Sequence, residues 1–455
     1  MRKRMALLAG VLLFVWALSA CGTGGGQKSA SGGGDSTASG GSSAGAGSST
    51  TTIKLTLFDR FLETDADGSV IAHRQMIEEF KKEHPNVEIS EESLQDATYK
   101  TKIKALAAGQ ELPDVFEMIG SDAEMFLNNN LIKPINEFLE SDPEWKDGFI
   151  PSTLNDFTIN GVVTGAPLTM LTTSLVYYNK AIFDEVGIEK FPETWDEFLS
   201  AIETLKANGY IPIALGNKDK WVAESCILSA LGDRYTGTEW FYNLKNRQGA
   251  KFTDQPFVDA LAALQELGMA GAFNSDVNSI DNGQHKALYY NKKAAMFIEG
   301  DWAISVLAME APQDVLENTR LAILPSVNGG AGSPAASSGG AAWSIAINAN
   351  LEGEKLEMAL ELVKKLTSPE KARVMAEHNS VAATKTPDYD ESKVVPLFKE
   401  YLDLSDRIAL SPIYDAHLPP AVIETMNNGL QALIIQAITP EQLAQDIQKT
   451  FEELT

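Results

Sequence analysis

The chain has 455 residues and a formal charge of -25, from 62 Asp plus Glu against 37 Lys plus Arg. So acidic a surface repels polyanions, which argues against nucleic acid as a partner. The roughly 400 residues that follow a low-complexity start are enough to bury a large core, most naturally as two domains.

In chain order, Arg2, Lys3 and Arg4 precede an apolar run from Met5 to Leu18 that is too short to span a bilayer comfortably. Leu18-Ser19-Ala20-Cys21 resembles a lipobox, in which cleavage leaves a cysteine that is then diacylated. Residues 1–20 are therefore expected as a lipoprotein signal peptide. Cys21 is the expected lipidation site, holding the mature chain to the outside of the cell membrane. With Cys21 acylated, Cys226 has no partner and no internal disulfide is expected. Gly22 to Thr52 is mainly Gly, Ser, Ala and Thr, and reads as a flexible linker with a reach of roughly 30 Å. Gly41-Ser42-Ser43-Ala44-Gly45 matches a hydrolase nucleophile pattern, but without the strand and helix that pattern needs.

Ile53 to Phe58 alternates apolar and polar residues, the pattern of a half-buried strand. Ser69 to Lys82 has one apolar helical face, and Val87-Glu88-Ile89 returns as a strand. A second helix covers Thr98 to Ala108, and Pro113 to Phe116 forms the next strand. Strands alternating with helices predict mostly parallel sheets covered on both faces, an α/β fold. Further on, Thr194 with Glu197 makes a capping box. Ser368-Pro369 and Thr439-Pro440 place proline at the first helical position after a hydroxyl cap. Asp254 to Gly268 and Glu354 to Leu366 are amphipathic, and the Gly, Ser and Ala content of Pro325 to Gly340 reads as a long surface connection.

Several chemistries are disfavoured. The five histidines are scattered without zinc-ligand spacing, and no phosphate-binding glycine loop is present. Neither a metal nor a cofactor is expected. Glu63 to Gly68 resembles the start of a calcium loop, but Arg74 stands where a bidentate Glu is required, so a solvated turn near Asp65 and Asp67 is the expectation.

Four stretches together resemble the extracellular solute-binding proteins of ABC importers, in the carbohydrate-binding family that includes maltose-binding protein. They are Tyr99 to Gly109 with Leu112-Pro113-Asp114-Val115; Leu175 to Phe183 continuing to Phe198; Lys293 to Trp302; and Gly339 to Ile347. The resemblance implies a two-lobed periplasmic-binding-protein-like fold with a hinge of crossing strands near Met170–Thr173 and Trp343–Ile347. It places the first lobe at 53–171 plus 344–404 and the second at 172–343 plus 405–455. It also implies a monomeric carrier without catalysis, which captures a small neutral carbohydrate, a sugar or oligosaccharide, and delivers it to ABC permease subunits. The rival class is a lipid-anchored glycosidase or lyase, or a glycan-binding adhesin, because these also use Trp and Asp around sugar.

Sugars offer flat C–H faces and rims of hydroxyls, so a site needs aromatic platforms and orienting polar groups. The candidates from the second lobe and the crossings are Thr172, Trp221, Asp301, Trp302, Gly339, Gly340 and Trp343. From the first lobe, Asp59, Gln95, Asp96, Ser121 and Asp122 follow the ends of predicted strands, where open sheets gather ligands. Trp145, Trp195 and Trp240 read as packing. Met118 stands where some relatives carry an aromatic, which counts against a maltose-like stacking arrangement.

Overall fold

The computed structural model describes residues 52–454, apart from Ala66. The expected signal peptide, Cys21 and the linker up to Thr51 lie outside the described residues.

Two sheets, each with its own core, organise the fold. The first runs in the order Val87–Ser93, Ile53–Asp59, Val115–Ile119, Trp343–Ile347 and Ala166–Pro167. Its opening strand turns Leu55 and Leu57 inward between the exposed Lys54 and Thr56, as the alternating pattern requires. Helix Gly68–Glu83 presents Met76, Ile77 and Phe80 to this core, and helix Gly353–Leu366 presents Leu362, Val363 and Leu366. The second sheet runs Thr319–Ala322, Leu175–Asn179, Ala294–Glu299 and Ile211–Ala214. Helices Trp195–Ala207, Gln255–Ala270, Pro420–Ile434 and Pro440–Glu453 pack around its larger core.

The parallel pairing expected from alternating strands and helices holds within the first three strands of the first sheet. It also holds between Ile211–Ala214 and Ala294–Glu299. Elsewhere the sheets are mixed. Trp343–Ile347 lies antiparallel to both its neighbours, because the chain enters the first sheet from the opposite end on its return. A small third sheet pairs Leu171–Thr172 antiparallel to Gly339–Gly340. Its members run on within a few residues into Leu175–Asn179 of the second sheet and Trp343–Ile347 of the first, so both chain crossings pass through it.

The expected caps form. Thr194 and Glu197 make a reciprocal capping box, Ser368 Oγ accepts from the Lys371 amide, and Thr439 Oγ1 accepts from the Gln442 amide. One expectation needs correction. Ala336–Gly340, predicted as part of a surface connection, is a largely buried strand. Its hydroxyls find buried partners: Ser337 donates to the Ser174 carbonyl, and the Ser338 and Thr173 hydroxyls share a 2.7 Å hydrogen bond. The buried Arg234 guanidinium ties down the loop before it, donating to the Leu324, Pro325 and Ser333 carbonyls. Helix Pro396–Ser405 places Leu397, Phe398 and Tyr401 in a core with residues of the second sheet. No helix among the described residues is long and apolar enough to cross a membrane.

Candidate ligand-binding site

A cleft of about 600 Å³ opens between the two sheets' domains, lined from both sides. Such a volume is mid-range for a small-molecule site.

The wall on the first sheet's side is built on charge. Arg60 follows the opening strand, and its guanidinium lies 3.5 Å from the centre of the Trp343 ring. Its Nε donates to Glu117 at 3.0 Å and its Nη1 to Asp96 at 3.3 Å. Asp96 also meets Lys100 at 3.1 Å, and Lys100 reaches Asp415 at 3.7 Å. Burial pushes the Glu117 carboxyl up to about 7 against the pull of Arg60.

The opposite wall carries two indoles. The Trp221 and Trp302 ring centres stand 5.9 Å apart with planes inclined by 54°. Trp302 lies across Gly300, where a Cβ would come within 2.1 Å of the ring, so only glycine permits this placement. Its Nε1 donates to Glu299 at 2.7 Å. Glu299 also accepts from Asn282 at 2.9 Å and from Lys286 at 2.9 Å, and pairs with His285 Nε2 at 2.9 Å. The Gly216 amide donates to His285 Nδ1, which leaves the imidazole proton on Nε2, facing Glu299. Burial works against the charge on Glu299, but Lys286 and His285 outweigh it and hold the carboxyl well below the usual range. This network fixes Trp302 and Asn282, both of which line the cleft.

After Trp221 the chain takes a π-helical path over Val222–Leu228. The Ser225 carbonyl accepts from Thr173 Oγ1 at 3.0 Å and from Ser338 Oγ at 3.3 Å, joining the cleft floor to the crossing strands. Widened turns of this kind concentrate at functional sites. Glu224, in the same segment, is buried, and burial together with Asp415 pushes its carboxyl well above the usual range.

Of the candidate residues from the sequence, Gln95, Asp96, Trp221, Trp302 and Trp343 line the cleft. The others serve elsewhere. Asp59 is buried against His73 at 3.3 Å, and its Oδ1 accepts from the Phe61 amide. Ser121 and Asp122 sit in the first turn of helix Gly120–Asn128, with Asp122 buried 3.5 Å from Lys104. Asp301 is buried behind the cleft, accepting from the Thr172 amide at 3.2 Å and from Tyr401 Oη at 3.3 Å. Thr172 shares a 3.1 Å hydrogen bond with the same Tyr401. Gly339 packs beneath Leu410, and Gly340, at φ +141°, lies next to Asp156. Asp301 and Thr172 thus brace the crossing strands instead of facing the cleft, and both glycines belong to the strand pairing.

Trp343 lines the cleft, but its ring face backs Arg60. The groups that present themselves in its place are Arg60, Lys100, Asp219, Asp281, Asn282 and Asp415. Arg60, directly after the first strand, had the same positional signal as Asp59. Trp145, Trp195 and Trp240 pack as expected, each with its indole N–H satisfied, by Thr367, Glu266 and Asp254. Among the described residues no group of three or more His, Cys, Asp or Glu could hold a metal ion.

Residues 70–373 match the family described as bacterial extracellular solute-binding protein. Over 278 residues, 58% of this chain, the sequence is 24% identical to a multiple sugar-binding protein of Streptococcus mutans. The match spans 61% of that relative's length. A structure from a study of xylan utilization by Caldanaerobius polysaccharolyticus superposes with a TM-score of 0.80 at 28% identity, covering 87% of this chain and 99% of that one. A chitin oligosaccharide binding protein superposes with a TM-score of 0.81 at 25% identity, covering 88% and 98%.

Proposed function

Because the chain belongs to the bacterial extracellular solute-binding protein family, we propose that it captures a sugar or oligosaccharide in the cleft and delivers it to an ABC importer. The paired Trp221 and Trp302 rings opposite a wall of hydrogen-bonding charge carry this reading. An indole face holds the apolar face of a pyranose, and carboxylates, amides and the guanidinium orient its hydroxyls. The relatives and neighbours described as sugar-binding support it.

The role is capture without catalysis. Ligand stabilises a closed arrangement to the extent that its contacts are stronger there than in the open one. The crossings through Leu171–Thr172 and Ala336–Gly340 are the proposed hinge. The proposed lobes are residues 53–171 with the return from 344, and residues 172–343 with the C-terminal segment. We place the last boundary before Val394, since Val394, Leu397, Phe398 and Tyr401 share a core with the second sheet. We further propose that the protein works as a monomer outside the cytoplasmic membrane, tethered through lipid on Cys21, with permease subunits as its partners.

A thermal-shift screen across mono- and oligosaccharides tests the reading. A sugar at about a hundred times its Kd adds roughly 2.7 kcal/mol to native stability. The expected result is one sugar class that raises the melting temperature, with no product formed. Turnover of a glycan, abolished by substituting one cleft carboxylate, would instead establish the rival enzyme.

A further inference from the structure

Seven carboxylates line the cleft against three cations, Arg60, Lys100 and Lys218. Two of those cations are already engaged. Arg60 is held by Glu117 and Asp96, and Lys100 by Asp96 and Asp415. Lys218 is exposed at the rim beside Asp219. Asp65 also lines the cleft, and burial, with Asp67 and Glu310 nearby, pushes its carboxyl up.

A carboxylate, sulfate or phosphate on a ligand meets an Arg60 charge already balanced by Glu117 and Asp96, so its own charge finds no uncompensated cation there. The buried Glu117 carboxyl, already raised to about 7, would take up a proton if it lost Arg60 to such a ligand, and the remaining acids would repel the newcomer. A hydroxyl makes no such demand. It accepts from the guanidinium N–H groups not taken by Glu117 and Asp96, and it donates to the neighbouring carboxylates. Trp343 keeps the guanidinium flat and in place.

We propose that the cleft takes uncharged sugars and excludes their uronic-acid, sulfated and phosphorylated counterparts, with Arg60 acting as a charge-balanced hydroxyl donor that sets this specificity. The proposal rests on the sugar-binding reading and narrows it to a substrate class.

Calorimetry on the purified protein tests it with xylotriose, maltotriose and N,N′-diacetylchitobiose. Whichever of these binds is then compared with a counterpart of the same length carrying a uronic acid. The expected result is a uronide at least about tenfold weaker than the neutral sugar, the scale of a like-charge penalty. Binding of the two within about threefold of each other overturns the inference and leaves the sugar-binding reading standing. Binding of no neutral sugar removes the basis of both.

The double variant D96N/E117Q frees the Arg60 charge, and the uronide is expected to gain at least about tenfold relative to the neutral sugar. Where that variant does not fold, salt decides on the unaltered protein. Raising sodium chloride from about 0.05 to about 0.5 M shortens the screening length and should narrow the discrimination. Discrimination that ignores salt would overturn an electrostatic cause.

Discussion

Glu299→Gln is the perturbation that strikes deepest behind the cleft. The Glu299 carboxylate is surrounded by donors alone: Trp302 Nε1, Asn282 Nδ2, Lys286 Nζ and, by the tautomer argument, His285 Nε2. A glutamine of the same shape turns an N–H group toward one pair of these donors in either orientation, and it carries no charge to balance Lys286. Lys286 is 5% exposed, so its ammonium would remain buried without a counter-ion. Removing one partner of such a pair costs about 3–5 kcal/mol. Urea denaturation should show a loss of that size for E299Q. The double variant E299Q/K286M should recover part of it, since the stranded charge is gone. Sugar affinity should fall as well, because Trp302 and Asn282 lose the group that aims them. An E299Q protein within about 1 kcal/mol of the unaltered one would refute the idea that this network is a charged, all-donor cage.

Three further outcomes follow from the same structure. Burial lifts the Asp301 carboxyl to about 7, so the folded protein keeps a proton that the unfolded chain releases near pH 4; this stability is present below about pH 4 and lost as pH rises through about 7. D301N should accordingly gain urea resistance over the unaltered protein at pH 8 and not at pH 4. Arg234→Met leaves the Leu324, Pro325 and Ser333 carbonyls without their donor and should cost about 3 kcal/mol or more, with faster amide exchange across 325–340. Trp302→Leu should weaken sugar binding about tenfold or more with a modest stability loss, whereas Trp343→Leu, cutting into a buried ring that backs Arg60, should lose several kcal/mol of stability first.

The fold was legible where local signals are strong. Alternation in Ile53–Asp59, the Thr194 capping box and the Ser-Pro and Thr-Pro helix starts all report backbone preferences that tertiary packing leaves intact. Ala336–Gly340 was not legible, because a run of Ala, Ser and Gly has no apolar face. It becomes a strand through hydroxyl partners that lie far away in sequence, at Ser174 and Thr173. The aromatic half of the candidate site was readable, since Trp221 and Trp302 announce themselves by type and context. The polar half was not. Asp59 and Arg60 are adjacent, and the turn after the strand decides which faces the cleft. It sends Asp59 to His73 and Arg60 to Trp343. Asp301 looked like a ligand carboxylate beside Trp302, but the first turn of its helix points it back at Thr172 and Tyr401. Lys100, Asp281 and Asp415 come from separate segments that only the folded chain brings together.

Small-angle scattering on the purified protein, with and without the sugar that most raises its melting temperature, reaches the central claim most directly. Two halves hinged at Leu171–Thr172 and Ala336–Gly340 should draw together over the solute, giving a smaller radius of gyration and a shorter maximum dimension at saturation. A saturating sugar that leaves both dimensions unchanged would contradict capture by closure.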